Sequence, residues 1–121
     1  AVELGDAFRS WCNLHGEDRG GELSLPRFEA GLEGYAAALG ELPGAAERRA
    51  IPSRIEVIAT ELAARFCTDA LEERYFSWDQ ERYSGASEHN IQRSRCQLEL
   101  ARSIAAQQGD LEKALQRIWP L

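Results

Sequence analysis

Apolar residues in this chain recur at three and four positions over long stretches, and no stretch alternates in the way a half-buried strand requires. The pattern predicts helices throughout. The longest spans residues 53–76, where Ile55, Ile58, Leu62 and Phe66 fall on one face and Ala59, Ala63 and Ala70 widen it with small side chains. Ser53 follows Pro52 and has Glu56 three residues on, the spacing of a capping box. One residue breaks the stripe. At about 100° per residue, Asp69 projects within the arc of Ile58, Leu62 and Phe66, with Arg65 at its edge one turn back. A carboxylate on an apolar stripe is costly unless paired. Two arrangements satisfy it: an Arg65–Asp69 ion pair at helical spacing, or a polar pocket that both residues line.

The remaining elements arrange themselves around that helix. Residues 2–13 predict a lead-in and a helix of about two turns opened by Gly5-Asp6, with Phe8 and Trp11 buried and Asp6 and Arg9 on one face. Asp6 there is either an N-cap beside a surface arginine or a functional group. Residues 14–24 read as a polar, glycine-punctuated loop in which Glu17-Asp18 is solvated. Ser24 caps a second helix with Pro26 in its first turn. Phe28, Leu32, Tyr35, Leu39 and Leu42 form its packing seam, and Pro43-Gly44 breaks it. One or two turns are expected over residues 45–51. Residues 77–86, with Tyr75, Phe76, Trp78 and Tyr83 close by, predict a folded loop over helix ends. Ser87 caps a helix that runs to Gln108 and stops at Gly109. Ile91, Leu98 and Ala105 lie on one side of it and Cys96 and Leu100 nearly opposite, which calls for several neighbours. Asp110 caps a last short helix carrying Leu111, Leu115, Ile118 and Trp119. The expected fold is all-α: one helical unit over residues 1–121, a bundle of about four principal helices.

Composition narrows the function classes. The formal net charge of −6 argues against nucleic acid or an anionic membrane as partner. No apolar run is long enough to span a bilayer, and no signal peptide opens the chain. All fourteen basic residues except Lys113 are arginine, which favours planar, bidentate contacts. Cys12, Cys67 and Cys96 are odd in number and widely spaced, fitting neither a disulfide framework nor a zinc motif, so a cytoplasmic setting is expected. His15 and His89 have no second ligand at metal spacing. Gly-x-Ser-x-Gly, His-Glu-x-x-His, Glu-x-x-His and Cys-x-x-Cys do not occur, and the glycine-rich stretch at residues 16–21 lacks the strand and lysine of a phosphate loop. The absence of methionine and the Ala-Val-Glu start suggest a piece of a longer protein.

Three blocks carry a resemblance. Gly5-Asp6-Ala7-Phe8-Arg9 is followed by Asn13 and Glu17-Asp18; residues 61–71 read ELAARFCTDAL, with Tyr75-Phe76 after them; His89-Asn90-Ile91 is followed by Arg93, Arg95, Gln97-Leu98 and Ser103-Ile104. In order and spacing they resemble the C-terminal third of small-molecule kinases in the aminoglycoside phosphotransferase and choline kinase superfamily, and within it the N-acetylhexosamine kinase branch. The resemblance implies a two-lobed, protein-kinase-like whole, with ATP and magnesium between the lobes and this helical part shaping the pocket of a sugar or amino-sugar-like acceptor. The family's catalytic Asp, metal-binding Asp and nucleotide-binding Lys all lie upstream of the blocks matched. The resemblance thus implies no catalytic residue and no metal ligand here, and a chain inactive without the remainder of the kinase. Asp6 and Arg9 match its Gly-Asp-x-x-Arg, and Arg65 and Asp69 match its Arg-Phe-x-x-Asp; these four are the candidate substrate-binding residues. His89-Asn90 is expected to cap and pack. Residues 77–86 depart from the hexosamine branch and leave the acceptor open. The alternative is a free-standing helical protein–protein interaction domain, and apolar surface left exposed offers either version a route to self-association.

Overall fold

In the computed structural model, which describes residues 2–120, five helices pack as a bundle: α1 Val2–Trp11, α2 Leu25–Leu39, α3 Ala45–Glu72, α4 Ala86–Ala106 and α5 Gln108–Ile118. The all-α expectation holds, with five helices in place of about four. Among the described residues there is no strand, only an isolated antiparallel bridge between Asn13 and Leu23 that closes the loop after α1. Helices α3 and α4 form the most extensive interface, and α1 lies against α3. The main core joins Phe8, Cys12, Phe28, Leu32, Ile51, Ile55, Leu100, Ile104, Leu111 and Trp119 from all five helices and the residue after α1 and α5. Trp119 is fully buried, and its indole Nε1 donates to the Leu32 carbonyl at 2.8 Å.

Several boundaries differ from the sequence reading, each for a local reason. Helix α3 does not start at Ser53. It begins at Ala45 behind Gly44 and carries Pro52 in its interior. Proline withholds the N–H that the Arg48 carbonyl would otherwise receive. Ile51, Pro52 and Ile55 are all buried, and that burial holds the helix together across the proline. Ser53 is then mid-helix, and its hydroxyl donates to the Ala50 carbonyl at 3.0 Å. The same helix stops at Glu72, not Phe76: Glu73 takes the left-handed conformation (φ 52°) and donates its N–H to the Asp69 carbonyl.

Helix α1 starts before Gly5, so Asp6 is an interior residue and not a cap. Trp11 is 56% exposed; only Phe8 of that pair is buried. Helix α2 has the expected Ser24 cap, whose Oγ accepts the Arg27 N–H at 3.3 Å, but ends at Gly40 before reaching Leu42. Helix α4 is led by Gly85, and Ser87 instead gives its N–H to Glu73. Glu88 reaches back from the first turn to the Ser84 N–H and hydroxyl. Gly109 and Asp110 fall inside α5, because the break comes at Gln107. The Ile91/Leu98 side of α4 stays exposed while Cys96, Leu100, Ala101 and Ile104 are buried. Fewer neighbours cover that helix than its apolar girth suggested.

Candidate functional site

Helices α1 and α3 run against each other and open a cleft of about 330 Å³ lined by Asp6, Arg9, Glu17, Ile58, Glu61, Leu62 and Arg65. The close approach is set by Gly5, where a β-carbon would stand 2.9 Å from Ile58 Cδ1. Three of the four sequence candidates therefore meet. Asp6 and Arg9 share a face of α1 at i,i+3 spacing, and the Arg9 guanidinium binds the Asp6 carboxylate at 2.9–3.0 Å. Arg9 is largely buried while Asp6 is exposed, so the pair offers its carboxylate outward. Arg9 Nη1 also donates to Gln97 Oε1 on α4 at 3.3 Å. The guanidinium is thereby fixed from two sides.

Arg65 and Asp69 do not pair as the first expectation had it, although both line one depression. The Asp69 side chain turns inward at 4% exposure, where Oδ1 accepts the N–H groups of Arg74 and Tyr75, both at 2.8 Å, and Oδ2 accepts the Phe76 N–H and Asn90 Nδ2, both at 3.0 Å. The Phe76 amide, then those of Arg74 and Tyr75 and the Asn90 side chain, hold this carboxyl below the usual Asp value against the opposing effect of burial. Asp69 therefore caps the chain as it leaves α3. Arg65 remains exposed and lies over the rings of Tyr75 and Phe76, with its guanidinium carbon 5.1 and 5.7 Å from their centroids. A second, shallower depression of about 310 Å³ runs along this stack, with Glu61, Arg65, Asp69, Tyr75 and Phe76 among its lining residues. Arg65 and Glu61 are common to both clefts.

The loop of residues 13–24 adds a side chain that the sequence reading treated as solvated. Asp18 is mostly buried and accepts from His89 Nε2 at 2.6 Å and Arg82 Nη1 at 3.1 Å. The Asp79 N–H donates to His89 Nδ1 at 3.1 Å, so the neutral imidazole carries its proton on Nε2. Tyr83 stacks on the imidazole, with centroids 4.1 Å apart and planes 10° from parallel. Burial pushes the Asp18 carboxyl up, but the His89 hydrogen bond and the Arg82 charge outweigh it and leave the carboxyl below the usual value. His89 thus packs, as expected. Its work is to tie the loop of residues 13–24 to α4 and the 77–86 segment, which fixes the neighbouring Glu17 at the cleft.

Glu17, Glu61 and Tyr75 fell within the blocks that carry the resemblance but were not among the candidate site residues. Glu61 carried a signal, standing one turn before Arg65 on the same face of α3. Tyr75 and Glu17 carried no periodic signal, because Tyr75 is placed by its own N–H bond to Asp69 and Glu17 by the Asp18–His89 contact beside it. Chemically the cleft offers carboxylate acceptors from Asp6, Glu17 and Glu61 and guanidinium donors from Arg9 and Arg65. That mixture suits a neutral, hydroxyl-rich molecule. Among the described residues no three His, Cys, Asp or Glu side chains converge to hold a metal ion. No protein-family model matches the chain, and no curated protein matches it either.

Proposed function

We propose that this chain is the acceptor-binding helical part of an ATP-dependent small-molecule phosphotransferase of the aminoglycoside phosphotransferase and choline kinase type. The acceptor is a sugar or amino sugar. The observation that carries the reading is the convergence of Asp6, Arg9 and Arg65, chosen by motif from segments more than fifty residues apart, on one cleft together with Glu17 and Glu61. Arg65 and Arg9 donate to acceptor hydroxyls, and Asp6 and Glu61 accept from them. Asp69 acts as a positioning residue: by capping residues 74–76 it sets Tyr75 beneath the Arg65 guanidinium. Phosphoryl transfer needs a positioned base and metal ions, so the reading assigns the nucleotide, the magnesium and the catalytic base to the remainder of the kinase chain, with none of that chemistry here.

The test uses protein that includes the nucleotide-binding lobe. Arg65→Ala removes a charge-assisted hydrogen bond, worth about 1.5–3 kcal/mol, and should raise the acceptor KM roughly ten- to a hundredfold. The ATP KM should not move. Unchanged acceptor KM and kcat in both Arg65→Ala and Arg9→Lys, with folding intact, would refute the assignment.

A further inference from the structure

Behind Arg9 the cleft gives way to a smaller chamber of about 230 Å³, lined by Arg9, Ser10, Asn13, Gly16, Glu17 and Gln97. Arg9 and Glu17 line both spaces, so the two share a wall. Gln97 is completely buried. Its orientation is fixed, because Arg9 Nη1 can only donate and therefore must face Oε1, at 3.3 Å. The amide nitrogen is left with no acceptor among the described residues. An unpaired buried donor is a standing cost that folded proteins rarely carry without reason.

On α4 Arg93 Nε is likewise buried without a hydrogen-bond partner, beside Glu17, while other polar side chains near Gln97 are paired. On the same helix Asn90 binds Asp69, Gln92 binds the Asp18 carbonyl, and Ser94 donates to the Ala63 carbonyl at 2.8 Å. Within the chamber, Asn13 Nδ2 donates to the Gly16 carbonyl while its Oδ1 accepts from the His15 and Glu22 N–H groups. What the chamber retains for a ligand is the Gln97 Nε2 donor, the exposed Ser10 hydroxyl and the carboxylate of Glu17, whose side chain is half exposed and stands 3.6 Å from Arg93 Nε.

We propose that this chamber is a second polar subsite, in which an uncharged hydroxyl accepts from Gln97 Nε2 and donates to Glu17. A hydroxyl satisfies both partners at once. An anionic group would meet Glu17, and a cationic group would meet Arg9 and the amide donor. Nε2 is sealed from solvent, so the hydroxyl enters only as a lining side chain moves. The subsite deepens the acceptor-binding reading, on which it rests for the class of probe. It makes Gln97 a residue that selects acceptors bearing a hydroxyl at that point.

The experiment follows the Gln97 side-chain amide signals in the spectrum of nitrogen-15-labelled protein during titration with glucose, galactose and myo-inositol. At least one probe should shift those signals saturably. Gln97→Glu keeps the Arg9 contact, removes the donor and should weaken that probe about tenfold; Glu17→Ala, on a half-exposed side chain, removes the acceptor and should weaken it comparably if the first variant fails to fold. Arg65→Ala is titrated in parallel. Saturable binding that Arg65→Ala weakens, while the Gln97 signals stay still and Gln97→Glu has no effect, overturns the subsite and leaves the cleft reading standing. Gln97 signals that move with a probe whose affinity ignores Arg65→Ala support the subsite and count against the cleft. Gln97 signals unmoved by all three probes, as for a resident water only, overturn it.

Discussion

Gly21→Ala should be among the most damaging single-atom changes in this protein. Gly21 sits in the loop between α1 and α2 and lies directly on α4: a β-carbon there would fall 2.1 Å from the Cys96 carbonyl oxygen, 2.4 Å from the Leu100 nitrogen and 2.8 Å from Leu100 Cβ. Two of the three are helix backbone atoms, which cannot retreat without breaking α4. The loop must lift instead. Beside the Asp18–His89 contact, four neutral hydrogen bonds hold it down: Gly20 N–H to Cys96 Sγ, Gln92 to the Asp18 carbonyl, Leu23 N–H to Ser103 Oγ and Gln107 to the Leu23 carbonyl, at 3.0–3.1 Å. At about 1 kcal/mol net each, losing all four bounds the cost near ~4 kcal/mol, while ordinary overpacking sets a floor of about 1 kcal/mol. A loss of about 3 kcal/mol is expected, a large share of the roughly 5–15 kcal/mol that holds a domain folded. Urea denaturation measures it, as a lower midpoint with an unchanged slope. Gly34→Ala is the control. It makes the same chemical change inside α2, where nothing lies within 4 Å of the added carbon, and should stabilise by about 0.5–1 kcal/mol. A Gly21→Ala loss below about 1 kcal/mol, or equal effects at the two sites, would refute the argument.

Other predictions test the cap, the core and the thiols. Asp69 has a folded pKa below its ordinary 3.8, so its contribution is complete above that value and is lost as pH falls through the folded one; Asp69→Asn should be less stable than the parent at neutral pH and should show a shallower acid limb in a pH series of melting temperatures. Trp119→Phe removes the indole donor to the Leu32 carbonyl, which keeps its helical partner, and leaves a smaller ring in a fully buried site; it should cost about 1–2 kcal/mol by urea titration. Burial pushes the Cys12 thiol up to about 12, against the nearby Arg27, and also raises Cys96, whereas Cys67 is exposed. Ellman's reagent should therefore find one fast thiol in the native protein and three in denaturant.

The helices were legible in the spacing of apolar residues because that spacing records burial, and the start of α2 at its Ser24 cap was read to the residue, while its end was placed three residues late. The helix starts were not. Ser53 and Ser87 have the chemistry of caps, yet a serine caps only where the chain turns, and the buried Ile51-Pro52-Ile55 face carries α3 straight past Ser53. The Asp18–His89 contact joins residues 71 apart in the chain and leaves no periodic signature. It could not be found before the loop was placed.

Asp69 shows most clearly where sequence reasoning stops and what the fold then adds. Its inward position followed from the helical period. Its partner did not, because an inward carboxylate can be satisfied by a guanidinium, a ligand or backbone amides, and the period is the same for all three. What decides is the course of the chain after Glu73, where a left-handed residue turns three successive N–H groups back onto the carboxylate. The consequence reaches the cleft. With Asp69 satisfied by amides, Arg65 has no carboxylate partner among the described residues, and the segment that Asp69 captures delivers Tyr75 and Phe76 beneath the guanidinium. A cap that stabilises the end of α3 is thus also what leaves Arg65 exposed and flat on the two rings, the position the proposed acceptor site requires. On this argument Asp69→Asn should weaken acceptor binding through Arg65 even where the fold survives. Arg65→Ala should then remove little further affinity in the Asp69→Asn background, an outcome that a double-mutant cycle measures directly.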